Sequence, residues 1–387
     1  MRDFTYENPT KIVFGRGAEL AAGAEAARFA KKVLLHYGGG SVKRSGLLDR
    51  IRGSLEEAGV GTVELGGVQP NPRLSLVEEG IALCRREGAD LILAVGGGSV
   101  IDSAKGIALG VPYDGPVWNF YDETAVPEKA LPVGVVLTIP AAGSETSPTS
   151  VVTNEKGWYK RSCKNTILRP RFALLNPELT FSLPADQTRY GAMDMLAHVL
   201  ERYFTNDRDV ELTDRLCEAT MKTILANLPR ALAKPDDYAA RAELMWCATN
   251  AHSGILDTGR LGDWGSHKIE HELSALYDVP HGAGLAAVFP AWMRFVLPHD
   301  VPRFAQFAHR VMDVDMNPFN LEETALEGIR RLEAWIRACG LPLTLTELGV
   351  PGDRLEEMAA KAVEKGPVGT FVPLGKDEVL AILNALR

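Results

Sequence analysis

Asp194 and His198 stand four residues apart in Gly191-Ala192-Met193-Asp194-Met195-Leu196-Ala197-His198. On a helix that spacing puts a carboxylate and an imidazole on one face, near enough to share a metal ion. His267 and His271 repeat the spacing in Asp263-Trp264-Gly265-Ser266-His267-Lys268-Ile269-Glu270-His271, and His281 follows in Pro280-His281-Gly282-Ala283-Gly284. Carboxylate oxygen and imidazole nitrogen are donors for a divalent ion, and one Asp with three His already completes a closed site, so the five candidates exceed the need. A zinc-protease motif is excluded, because Lys268 follows His267 and no Glu occupies the general-base position.

A second kind of chemistry is written in glycines. Leu91-Ile92-Leu93-Ala94-Val95-Gly96-Gly97-Gly98-Ser99-Val100-Ile101-Asp102 runs from an apolar strand through three glycines into a helix for which Ser99 is the expected cap. Such a turn lets the backbone approach a pyrophosphate, and the helix N-terminus supplies free N–H groups. Asp102 adds a capping-box-like partner three residues after Ser99. A plain strand-to-helix turn is the competing explanation, since the run is not a GxGxxG fingerprint.

The earlier turn Gly38-Gly39-Gly40-Ser41 follows a strand ending at His36-Tyr37, and Lys43 and Arg44 come next, with no carboxylate before Asp49. An NAD site often carries an acid at the end of such a strand for the ribose 2′-hydroxyl, whereas a 2′-phosphate requires that charge to be absent. The turn therefore favours NADP(H), with NAD(H) as the other form, and a solvated basic turn without a ligand is the competing explanation.

The elements that must position these residues change character along the chain. Runs at Lys32–Tyr37, Val63–Leu65, Leu91–Val95 and Val133–Ile139 read as strands, and they alternate with helical patterns over Leu47–Ala58, Ser75–Glu87 and Ser99–Gly110. That alternation predicts a mostly parallel sheet with helices on both faces. From Pro184 onward strand-like runs disappear, and Ala185–Thr205, Val210–Leu225, Asp237–Ser253 and Ser266–Leu276 read as helices. The expected division is an α/β domain over 1–183 and an all-helical domain over 184–387.

Composition limits the partners. The 387 residues carry 42 Lys+Arg against 50 Asp+Glu, a formal net charge of -8, which offers no general attraction to nucleic acid or anionic membrane. Residues Met1 to Gly17 lack a signal-peptide pattern, no apolar run reaches membrane-span length, and the five cysteines are scattered without a CxxC pair. A reducing cytoplasm is the expected compartment.

Taken together, the opening Phe4-Thr5-Tyr6-Glu7-Asn8-Pro9-Thr10-Lys11-Ile12-Val13-Phe14-Gly15, the Gly96–Lys105 loop and helix, Thr138–Glu145, Asp194 with His198, Asp263–Glu272 and His281-Gly282 resemble the iron-containing (group III) alcohol dehydrogenases. The resemblance spans nearly the whole chain and is closest to the branch of NADPH-dependent aldehyde reductases and butanol dehydrogenases. It implies a dehydroquinate synthase-like two-domain fold: an N-terminal Rossmann-like dinucleotide-binding domain followed by an all-α C-terminal domain.

The same resemblance implies one divalent metal, Fe(II) or Zn(II), on Asp194, His198, His267 and His281. It puts His271 near the nicotinamide as the proton-relay candidate, and lets Asp102 reach toward the nicotinamide end as a second catalytic candidate. Cofactor contacts are implied for Gly38, Gly39, Gly40, Ser41, Gly96, Gly97, Gly98, Ser99, Asp102, Thr138, Ser144, Ser147 and Lys160. The family's usual Gly-Thr-Gly-Ser-Glu run stands here as Ala141-Ala142-Gly143-Ser144-Glu145, one hydroxyl fewer.

The expected partners are a small aldehyde or alcohol and a second copy of the chain, paired through Thr10–Phe14. A glycerol dehydrogenase-like polyol oxidoreductase and a non-catalytic metal- or nucleotide-binding protein are the alternatives. A dehydroquinate synthase-type lyase is disfavoured, since no basic cluster for a substrate phosphate lies near the ligand helices. Trp264, Trp118, Phe120 and Tyr121 are candidate walls of an apolar pocket.

Overall fold

The computed structural model describes all residues from Met1 to Arg387, which group into two compact units. The first unit comprises Glu7–Leu183 and Asp236–Met245. Its strands are β1 (Lys11–Phe14), β2 (Lys32–Gly38), β3 (Gly61–Val68), β4 (Leu91–Gly97), β5 (Val133–Ile139), β6 (Thr149–Asn154), β7 (Tyr159–Lys164) and β8 (Phe172–Leu175). Six of them form one parallel sheet in the order β1-β8-β5-β4-β2-β3. An antiparallel ribbon, β6–β7, stands apart from that sheet and has no counterpart in the expected element list.

Burial along the strands explains why the sheet is two-faced. On β4, Leu91, Leu93 and Val95 enter one core with Val33 and Leu35 of β2, while Ile92 and Ala94 enter the other with Leu34. Side chains alternate with period two, so an unbroken apolar run supplies both faces at once. Helices α1 (Ala22–Ala26) and α3 (Leu47–Glu57) contribute Ala22, Ala26, Ile51 and Leu55 to the first core. Helices α4 (Leu74–Glu87) and α5 (Gly98–Gly110) contribute Val77, Ile101, Ala104 and Ile107 to the second. A short α2 (Ser41–Arg44) follows β2. Phe120 and Tyr121 are buried in the second core, and Tyr121 Oη lies 2.8 Å from Ser150 Oγ, so these two aromatics are packing residues of the α/β unit.

The second unit comprises Met1–Tyr6, Pro184–Pro235 and Trp246–Arg387. Two segments therefore depart from a single cut at 183/184: the first six residues go with the helices, and Asp236–Met245 goes with the sheet. The helices are α6 (Ala185–Tyr203), α7 (Glu211–Ala233), α8 (Tyr238–Ala251), whose first part through Met245 belongs to the sheet unit, α9 (Gly265–Tyr277), α10 (His281–Val296), α11 (Val301–Arg310), α12 (Leu321–Ala338), α13 (Leu355–Ala362) and α14 (Lys376–Asn384). Pro184 precedes the first turn of α6 and Pro280 precedes that of α10, where a proline sets the chain direction without removing a helical hydrogen bond.

Aromatic packing closes this unit: Phe204 stacks on Phe304 at 4.4 Å between ring centres, with Trp292 and Phe371 around them. Beside it the buried Asp214 of α7 is gripped bidentately by Arg303 of α11 (2.6 and 2.7 Å) and by Arg260 (2.6 Å). Such fork geometry satisfies a buried carboxylate. No helix is long and apolar enough to cross a membrane.

Candidate active site

In the helical unit the site is assembled by three elements, α6 and α9, each packed against α10, and α10 itself. On α6, Asp194, His198 and Glu201 are spaced i, i+4, i+7 and share one face. On α9, His267, Glu270, His271 and Ser274 repeat the device at i, i+3, i+4, i+7. His281 is the first residue of α10. Gly282 explains how α10 comes so close: a Cβ there would lie 2.0 Å from the backbone oxygen of Tyr190 on α6.

Asp194, His267 and His281 each bring a ligand atom within 4.8 Å of the other two. His198, the fourth expected ligand, flanks this trio. Its Nδ1 donates to the backbone oxygen of Asp194 (2.8 Å) and lies 3.0 Å from Asp194 Oδ1, leaving Nε2 as its available donor atom. Its ring centre is 4.5 Å from that of His267. Asp194 Oδ1 and His267 Nε2 are buried and make no hydrogen bond. Buried polar atoms without partners are rare, and a convergent oxygen and nitrogen in that condition fit a cation.

The protonation states agree. Burial raises the Asp194 carboxyl, but its interactions with the imidazoles of His198, His281 and His267 outweigh it and hold the group well below the usual carboxylate range. Burial, reinforced by His198 and His281, pushes His267 well below the usual imidazole value. An ionised Asp beside a neutral His is the state that binds a metal.

The sequence reading missed four neighbours of this cluster. Glu201 accepts from His267 Nδ1 (2.7 Å), and Glu270 accepts from His281 Nδ1. His252 lies 4.7 Å from His198 between ring centres, on the side where Trp264 also packs. Arg202 covers the Trp264 ring at 4.7 Å and donates to the His198 backbone oxygen at 2.7 Å. Trp264 itself has φ 66°, a left-handed conformation unusual for a bulky residue, and its N–H is fixed by Glu201 Oε2 at 2.6 Å. Backbone strain of about 1–3 kcal/mol persists only where surrounding bonds over-determine it. The glutamates had a signal in sequence, their helical spacing to the ligands. His252 and Arg202 had none.

In the α/β unit the two glycine turns meet at one edge. The chain runs from β2 outward to β3, then crosses back to β4 on the other side of β2. The strand order reverses there, and in open parallel sheets such a reversal leaves a crevice outside the carboxyl ends of the strands. Gly38–Ser41 leads out of the end of β2 and Gly96–Ser99 out of the end of β4, with Tyr37 and Val95 in register just before them. Thr138 lies on the adjacent β5, near its carboxyl end.

Packing by itself demands two of these glycines. A Cβ at Gly96 would lie 2.5 Å from Val100 Cγ2, and one at Gly97 would lie 2.8 Å from Ile139 Cβ. Ser99 is not the helix cap: α5 begins at Gly98, Gly97 holds the cap position in extended conformation, and no side chain caps it. The first-turn N–H groups thus lack a side-chain cap at the edge where an anion is expected.

Asp102, Ser144 and Ser147 meet around a residue not singled out in the sequence, Lys105. Its buried ammonium donates to Ser144 O (2.7 Å), Ser144 Oγ (2.9 Å), Ser147 O (3.0 Å), Ser147 Oγ (3.2 Å) and Thr149 O (2.8 Å). Asp102 in turn accepts from Ser144 Oγ (2.6 Å) and Val151 N (3.1 Å). Burial raises the Asp102 carboxyl, opposed by Lys105, and pushes Lys105 down to about 8. Lys160 is buried on β7 and its charge also acts on Asp102.

A parallel nucleotide-type sheet with glycine turns at its switch point, and a separate helical unit carrying a carboxylate–imidazole cluster, define a two-part dehydrogenase architecture. The chain matches the family model described as iron-containing alcohol dehydrogenase over residues 9–177, and its C-terminal model over 188–387. It belongs to the iron-containing alcohol dehydrogenase family and is an enzyme of that class.

Among its relatives, it is 46% identical over the full length of both chains to a probable NADH-dependent butanol dehydrogenase of Bacillus subtilis (strain 168). It is 33% identical to an NADPH-dependent aldehyde reductase of Escherichia coli (strain K12), covering 95% of this chain and 94% of that one. Among solved structures, it superposes on the NADH-dependent butanol dehydrogenase A of Thermotoga maritima with a TM-score of 0.96 at 40% identity, covering 100% of this chain and 99% of that one.

Proposed function

We propose that the protein interconverts a small aldehyde and its primary alcohol, butanol being the model substrate, with a nicotinamide cofactor and one divalent metal. The observation that carries this is the buried pair Asp194 Oδ1 and His267 Nε2, unbonded and converging with His281. Asp194, His198, His267 and His281 hold the ion, which is Fe(II) or Zn(II). Bound there, a divalent ion supplies Lewis-acid polarisation of a carbonyl oxygen. The nicotinamide supplies the hydride at C4.

The chain's own residues bind and orient. Gly38, Gly39, Gly40, Ser41, Gly96, Gly97, Gly98, Ser99, Thr138, Ser144, Ser147 and Lys160 receive the dinucleotide, and Asp102 fixes the turn near its reactive end. His271 is the proton-relay residue: its ring centre is 5.6 Å from that of His281, and it converges with Glu270 and His281. A histidine titrates near neutrality, which suits that exchange. The enzyme acts in the cytoplasm as a homodimer paired along β1, which sits at the sheet edge.

The decisive experiment replaces His267 by Ala and measures bound metal together with butyraldehyde reduction. Both should be lost, and retention of both would overturn the assignment.

Cofactor form has two supported readings. The turn after β2 favours NADP(H): it presents Ser41, Lys43 and Arg44, and the nearby carboxylate Glu64 is already engaged by Tyr37 Oη (3.0 Å) and Arg52 (2.6 Å). NAD(H) is favoured by the names of the more similar relatives. Comparing kcat/KM for NADPH and NADH, before and after Ser41→Asp, separates them. A wild-type preference for NADH rejects the first.

A further inference from the structure

Two carboxylates outside the ligand set are fully buried against it. Glu201 Oε1 accepts from His267 Nδ1 (2.7 Å), His267 N (3.1 Å) and Ser266 Oγ (2.6 Å), while Oε2 accepts from Trp264 N (2.6 Å). Glu270 accepts from His281 Nδ1 and from Ser274 Oγ. An ionised carboxylate only accepts, so each one calls for a proton on Nδ1 of its histidine. Nε2 is then the lone-pair nitrogen, and in both cases it is the atom left for the Asp194 side of the ring.

We propose that Glu201 and Glu270 are positioning residues that fix the tautomer and orientation of His267 and His281 and, as anions on Nδ1, strengthen Nε2 as a ligand atom, and thereby set how tightly the metal is held. The inference rests on the reading of Asp194, His267 and His281 as a metal centre. Burial of two carboxylates is costly, and apolar side chains would fill the same volume without that cost. The fold nonetheless makes room for them: a Cβ at Gly284 would lie 2.6 Å from Glu270 Oε1. Glu201 also holds Trp264 in its left-handed turn immediately before α9, so the same carboxylate sets the helix start and the ligand it carries.

The test uses the full-length protein, stripped of metal and titrated with Zn(II) against a chromophoric chelator, alongside melting of the metal-free form. Glu270→Gln is the informative variant: Ser274 Oγ can turn from donor to acceptor and receive the new amide, so the fold is kept, while the anionic acceptor on His281 Nδ1 becomes a neutral one. Glu201→Gln sets an amide N–H against a ring of donors and is expected to fold poorly. Outer partners of this kind are worth about 10–100-fold in metal affinity. Glu270→Gln should therefore weaken Zn(II) binding by about 10–100-fold while the metal-free protein melts with the wild type.

Unchanged Zn(II) affinity in Glu270→Gln overturns the proposal. So does a loss of metal-free stability in Glu270→Gln reproduced by Ser274→Ala, which removes the other bond to Glu270 and leaves His281 untouched. Retention of Zn(II) by Asp194→Ala would instead overturn the metal-centre reading itself.

Discussion

Gly282 has no functional group, yet its missing side chain is what lets α10 bring His281 up to α6 and Asp194. The Tyr190 backbone oxygen would stand 2.0 Å from a Cβ at this position and its carbon 2.7 Å, and neither can swing aside as a flexible side chain would. Gly282→Ala must push the start of α10 off α6, and His281 moves with it. Overpacking of this kind costs about 3 kcal/mol. The variant should show a lower melting temperature together with sub-stoichiometric metal after purification. A variant that keeps full metal content would show that His281 reaches the site without this close approach.

At the scale of elements, α5 is held from both ends of its charge range. Lys105 ties it to the Ser144–Thr149 turn, and Lys105→Met would leave the Ser144, Ser147 and Thr149 carbonyl oxygens without their donor. Hydrogen bonds to charged groups contribute about 1.5–3 kcal/mol each, so the loss should be at least about 3 kcal/mol. Nicotinamide fluorescence titration should show weakened cofactor binding as well, because Ser144 and Ser147 lose their anchor. Cofactor affinity equal to the wild type would remove the turn from the binding site.

The other side of α5 meets β2 through His36, whose Nδ1 lies 2.9 Å from Leu65 O and Nε2 2.8 Å from Ser103 Oγ. Burial pushes this imidazole down to about 4, opposed only by the bond to Leu65. In the unfolded chain a histidine titrates near about 6.5. The folded value is depressed, so the unfolded state binds the extra proton between those limits, and stability present above about pH 6.5 is lost as pH falls toward 4. The shift corresponds to about 3 kcal/mol. Urea midpoints of wild type and His36→Asn should therefore differ less at pH 4.5 than at pH 7.5. A difference independent of pH would show that His36 does not stay neutral in the folded state.

For the whole molecule the consequence of metal binding is thermodynamic. An ion that binds the native state alone stabilises it by mass action, about 2.7 kcal/mol at a hundredfold excess over its dissociation constant. Chelation should lower the melting temperature. Hydrogen exchange should rise first in α6, α9 and α10, which carry the proposed ligands, and least in β2, β4 and β5 of the parallel sheet. Equal deprotection of the sheet would show that the ion supports more than its own helices.

Much of this was local and therefore legible in the sequence. The i, i+4 spacing of Asp194 with His198 follows from helical periodicity, as do the i, i+3 and i, i+7 positions of Glu270 and Glu201, which were readable and went unread. The apolar runs of β2, β4 and β5 and the glycine turns beyond them needed only strand periodicity and backbone sterics. Ser99 shows the limit of local preference: serine is a favoured cap, but the extended Gly97 ends the strand and starts the helix two residues earlier.

Only the tertiary structure decided what lies far apart along the chain. The partners of Lys105 are about forty residues away in sequence, the Ser103 partner of His36 is 67 away, and the Glu201 partner of His267 is 66 away. No periodicity reports such pairs, because they arise from the packing of α5 against the 144–149 turn and β2, and from the packing of α6 and α9 on the common helix α10. The sequence by itself determined which side chains have the chemistry to hold an ion and a dinucleotide. The fold determined that Asp194 Oδ1 and His267 Nε2 are buried without hydrogen bonds, and that Ser144, Ser147 and Asp102 are gathered around Lys105.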